Sequence, residues 1–148
     1  MMTKTLDLTT PLYSALAANA TVTNKLAIYK GKDGVEKPAI FMQDPAPKDA
    51  ALPYIIAGSI PGDRPDDTKN CFGREVYRDL RIYTKNDGDN LKVEEIAEEI
   101  RSMFHRNRTA LSVSGFVVTG ISASGPMSTD SLEVYGRIVT LRISLSED

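Results

Sequence analysis

Glu75-Val-Tyr-Arg-Asp-Leu-Arg-Ile-Tyr83 alternates, with Val76, Leu80 and Ile82 on one face and Tyr77, Asp79, Arg81 and Tyr83 on the other. A period of two is that of a strand with one face in a core and the other turned outward. Past the turn Asn86-Asp-Gly-Asp89 the spacing changes to Val93, Ile96, Ala97, Ile100, Met103 and Phe104, the stripe of an amphipathic helix. Upstream, Leu52-Pro-Tyr-Ile-Ile56 reads as a buried strand, followed by a Pro/Gly/Asp loop from Pro61 to Gly73. No catalytic group stands where the period changes. A strand face rich in tyrosine and paired charge is a surface built to touch something, and the expected partner is another copy of the chain.

Thr10-Pro11 reads as a helix start, because threonine can cap orphan amides and proline needs no donor at the first helical position. That helix is expected over Pro11 to about Asn19, preceded by a flexible stretch 1–9. Residues 21–29 either continue it or form a short strand. A long loop is expected over 30–51, relieved by a possible short strand at Ala39-Ile-Phe-Met42. The helix from Leu91 to about Arg106 carries Glu94, Glu95, Glu98 and Glu99 early and Arg101, His105 and Arg106 late, which complements its dipole. Val113 to Ser122 and Leu132 to Leu145 read as a hairpin around the loop 123–130. In its second strand Arg137, Val139, Leu141, Ile143 and Leu145 share the inward face. The sum is one α+β domain spanning 1–148, an antiparallel or mixed sheet of four to five strands with two helices packed on one face. The step from Glu75 to Ser122 is long enough for a crossover and so allows some parallel pairing.

A chain of 148 residues buries roughly 68–70% of its unfolded surface, enough for a core without metals or disulfides. No apolar run approaches the ~20 residues of a membrane helix, and the first residues lack the features of a signal peptide. Assembly in a cytoplasm is therefore expected. A net charge of −2 argues against a module held to nucleic acid by overall attraction. The single cysteine, Cys71, excludes an internal disulfide and reads as a small loop residue.

Every enzymatic reading lacks a part. His105 is the one histidine and reads as a polar group closing its helix. No Gly-x-Ser-x-Gly elbow, Walker loop or dinucleotide fingerprint occurs. Asp87, Asp89 and Glu98 imitate calcium-loop positions, but Lys92 stands where glycine is required. Asp63, Asp66 and Asp67 form an acidic loop that reads as solvated. No catalytic, metal or cofactor site is expected.

Several stretches resemble the small tail-completion or tail-terminator proteins of long-tailed bacteriophages and gene-transfer agents. They are Pro11-Leu-Tyr-Ser-Ala-Leu-Ala-Ala18, Asp49-Ala-Ala-Leu-Pro-Tyr-Ile-Ile56, Asp79-Leu-Arg-Ile-Tyr83, Val93-Glu-Glu-Ile-Ala-Glu-Glu-Ile-Arg101 and Tyr135-Gly-Arg-Ile-Val-Thr-Leu-Arg-Ile143. The resemblance spans residues 10 to 145 and departs in a longer segment between Ile28 and Leu52. It implies a structural virion protein in the tail or neck: a homohexameric ring that caps the head-proximal end of the tail tube and joins it to the head. The implied partners are further copies of the chain, the tube protein and a neck or head-completion protein, with DNA sliding through the lumen unread. Tyr77, Asp79, Arg81 and Tyr83 are the candidate subunit interface. The alternatives are a head-completion adaptor, a minor tail protein, or a small α+β ligand-binding or enzymatic domain, which would need a deep apolar pocket with convergent polar groups.

Overall fold

In chain order the protein forms helices α1 (Thr9–Ala18) and α2 (Ala20–Thr23) and three short strands, β1 (Ile28–Lys30), β2 (Glu36–Pro38) and β3 (Ile40–Phe41). Two long strands follow, β4 (Tyr54–Pro65) and β5 (Gly73–Lys85), then helix α3 (Leu91–Phe104), a 3-10 turn at Arg108–Ala110, and the strands β6 (Phe116–Ser128) and β7 (Val134–Glu147). The computed structural model describes residues 5–42, 46–65, 73–88, 90–131 and 133–148.

Five strands make the main sheet, in the order β3-β4-β5-β7-β6, while β1 and β2 pair as a separate ribbon. The sheet is mixed. β3 runs parallel to β4, and every other neighbouring pair is antiparallel. The crossover through α3 does place β6 parallel to β5 in direction, but β7 lies between them and takes both sets of hydrogen bonds. The main sheet meets the expected count, and the ribbon takes the chain beyond it. The helices also number one more than expected, because α2 is a separate element rather than a continuation of α1. Asn19 divides the two: its backbone is extended, and its side chain accepts the Val22 N–H at 3.2 Å as the cap of α2.

The helices share one core with the inward faces of the long strands. Leu12, Leu16 and Val22 meet Val93, Ile96, Ile100 and Phe104 of α3, and beneath them lie Leu80, Ile82, Val139, Leu141 and Ile143, all with no exposed surface. Each such side chain contributes about 1.5–3 kcal/mol through burial. Periodicity located this core well, down to the inward position of Arg137, which is 4% exposed.

Among the described residues the strands run further into the expected loops than local sequence suggests. β4 continues to Pro65 and β5 begins at Gly73, so the expected Pro61–Gly73 loop is strand at both ends, with 66–72 outside the described residues. Two register shifts, between Ile56 and Ser59 and between Ser59 and Gly62, let β4 keep pairing with β5 despite its glycines and prolines. In the hairpin, β6 likewise reaches Ser128 through a shift between Ser124 and Met127, which shortens the expected 123–130 loop. The 30–51 segment holds β2 and β3. Ala39 stitches it to the sheet, donating to Ala27 O at 2.9 Å and accepting from Ile55 N at 2.9 Å. At the start, Leu8 is 2% exposed and belongs to the core, so it departs from the expected flexible stretch 1–9, of which 1–4 lie outside the described residues. α1 begins at Thr9, and Asp7 rather than Thr10 does the capping, accepting the Thr10 N–H at 3.2 Å.

Candidate functional site: the open face of the sheet

Among the described residues α1, α2 and α3 share the core on one side of the main sheet. The other side, among the described residues, carries no helical layer. Register places Tyr77, Asp79, Arg81 and Tyr83 together on this open face, opposite Gly62, Ile56 and Tyr54 of β4 and Arg142, Thr140, Ile138 and Gly136 of β7. All four expected residues are half-buried, because each leans on a neighbour.

Two tyrosines are seated on glycines. A Cβ at Gly62 would meet the Tyr77 ring at 3.1 Å, and one at Gly136 would meet the Tyr83 ring at 3.0 Å and Thr129 closer still. Glycine inside a strand often marks such a close approach, and here it lets each ring come close to the adjacent strand. At Tyr83 the ring also tilts against Tyr54, centroids 5.7 Å apart, and the row continues through Phe41 (5.9 Å) to Tyr29 of the ribbon (5.1 Å). One end of the face is therefore an aromatic row. Burial, and then the neighbouring Tyr83, push the Tyr54 hydroxyl above its ordinary pKa.

The other end is a charge cluster built on Glu75. Its carboxylate, 6% exposed, accepts from Tyr77 Oη at 2.5 Å, Arg64 Nη2 at 3.0 Å and Arg142 Nε at 3.0 Å. The Tyr77 hydroxyl does most to hold the Glu75 carboxyl below its ordinary range, against the effect of burial and with help from Arg142. The same bond raises Tyr77. Between the two ends, Asp79 accepts from Thr140 Oγ1 at 2.6 Å. Arg81, with Ile56 and Ile138 opposite it on the flanking strands, has a buried Nε without a hydrogen-bond partner.

Sequence reasoning missed Glu75, Arg64 and Arg142, because the first belongs to the start of the alternating run, the second lies in a stretch that reads as loop, and the third alternates with the inward positions of the closing strand. Strand parity was the available signal for Glu75. It also missed Arg78, which shares the inward face with Val76 and Leu80 and is 6% exposed, its Nε unpartnered. Burial lowers the Arg78 pKa, opposed by the charges of Asp7 and Asp63.

His105 closes α3 as a polar group, as expected, and also reaches the sheet. Its Nδ1 accepts the Ala123 N–H at 3.0 Å, while Arg106 N donates to Ile121 O at 2.9 Å, so the end of α3 covers the middle of the free edge of β6. Asp63 is answered by an ion pair with Arg74. Cys71, Asp66, Asp67 and Asp89 lie outside the described residues. Among the described residues no cluster of His, Cys, Asp and Glu is placed to hold a metal. An open groove of about 700 Å³ lies beside the ribbon, lined by Tyr29, Lys32, Lys37 and Phe41.

No protein-family model matches the sequence, and no curated protein does either. Among solved structures, a chain in the virion of a native gene transfer agent particle superposes with a TM-score of 0.72 over 94% of each chain, at 13% sequence identity. The likeness is one of fold: this chain is built like a component of that particle.

Proposed function

We propose that the protein is a structural component of a virion, a homohexameric tail terminator that caps the head-proximal end of a tail tube and joins it to the neck. The observation that carries this reading is the fold shared with a chain of a gene transfer agent virion, over nearly the whole length of both. The open sheet face supports it. Aromatic anchors seated on glycines, beside a charge cluster half-covered by its own arginines, are the materials of a protein interface rather than of a reaction site. A ring requires a heterologous contact, in which one patch meets a different patch on the next copy. Tyr77, Asp79, Arg81 and Tyr83 would supply one half of that contact. The tube protein and a neck or head-completion protein would meet the two rims, and DNA would pass through the lumen without being read.

The functional test is removal of the protein from the assembling particle. Tubes of uncontrolled length, without attached heads, are expected. Tubes of normal length in its absence would refute the terminator role, and a ring seated against the portal without touching the tube would assign the chain to head completion instead.

A further inference from the structure

The open sheet face and the outer side of α3 lie on opposite sides of the two-layer body, and their charges are complementary. On the sheet face Arg64, Arg81, Lys85 and Arg142 outnumber Glu75 and Asp79. On the helix the partly or fully exposed positions carry four glutamates, which outnumber Lys92 and Arg101.

Most of these charges are already answered within the chain. Glu75 takes Arg64 and Arg142. On α3, Glu94 pairs with Arg137 at 2.5 Å, Glu95 with Lys25 at 3.8 Å, and Glu99 accepts the Asn19 amide at 3.2 Å. Arg81 and Lys85 of the sheet face and Glu98 of the helix make no ion pair among the described residues, and of the two cations Lys85 is exposed while Arg81 has a buried nitrogen. Among the described residues nothing bonds the Arg81 guanidinium, and the exposed Glu98 has no ion pair, its Arg101 neighbour included.

We propose that a second copy of this chain covers the open sheet face with the outer side of its α3, placing its Glu98 on Arg81. The proposal rests on the ring reading and specifies its contact. Covering Arg81 with an apolar surface would leave a charge buried and unpaired, at a cost that opposes association. A carboxylate removes that cost and can engage the guanidinium with two parallel bonds. The contact is heterologous, since every copy offers one sheet face and one helix, so it propagates head to tail and closes wherever the rotation allows.

The test uses the full chain and reads mass by light scattering. R81E and E98R each place like charges in the contact and are expected to weaken assembly at least about tenfold. Mixed one to one, the two defective variants are expected to regain wild-type assembly in alternating rings, because each joint then joins opposite charges. The double variant R81E/E98R is expected to assemble alone. Rings of wild-type strength from either single variant, or no recovery on mixing, would overturn the Arg81–Glu98 contact while leaving the ring reading intact. A wild-type chain that never assembles would overturn the ring reading, and this contact with it.

Discussion

At the scale of single residues, the open face and the core make opposite demands on charge. Glu75 is kept ionised by the Tyr77 hydroxyl and two arginines. Because its folded pKa is depressed, the stability it contributes is fully present above the ordinary value of 4.5 and is lost as pH falls through the lower folded value. Melting temperature measured against pH should therefore drop below about pH 4.5 more steeply in the wild type than in Glu75→Gln. Arg78 is the reverse case, a charge on the inward face with a buried Nε that no described group answers. Arg78→Met should stabilise the fold by about 1 kcal/mol in urea titration, since burial of the guanidinium outweighs the distant charges of Asp7 and Asp63 and an apolar side chain removes that cost. Gly136→Ala should cost about 1–3 kcal/mol, since the added Cβ would lie 2.5 Å from Thr129 Cγ2 and 3.0 Å from the Tyr83 ring. An unchanged melting curve for that variant would show that the ring can move aside freely.

At the scale of elements, α3 closes the core and shelters part of the β6 edge. Ile100 has no exposed surface and stands at the centre of its apolar stripe. Ile100→Asp should cost about 4 kcal/mol or more and detach the helix, seen as lost helical circular dichroism and rapid amide exchange along β6. The stripe of α3 and the alternation of β5 and β7 were legible because single periods run unbroken over many residues, and burial follows them closely. β4 was legible only in its first half. Gly58, Pro61, Gly62 and Pro65 read locally as loop, yet register shifts absorb them and pairing with β5 holds the segment extended. The ribbon and β3 were hidden for a related reason: strands this short carry no measurable period and exist through backbone bonds to Ala27, Ala39 and Ile55. The site was half visible. Parity alone put Tyr77, Asp79, Arg81 and Tyr83 on one face, but their cross-strand partners Gly62, Gly136 and Arg142 depend on register, which local sequence does not set.

At the scale of the whole molecule, a two-layer body with one bare sheet face suits repetition. Its aromatic row and charge cluster occupy opposite ends of that face, which would fix the direction of a contacting partner as well as its position. The gene transfer agent particle shows the same fold used in an assembly. The most direct measurement is the mass of the purified 16.2 kDa chain at high concentration, alone and with tube protein. A closed hexameric ring in either sample is the predicted result, and a monomer in both would contradict the account.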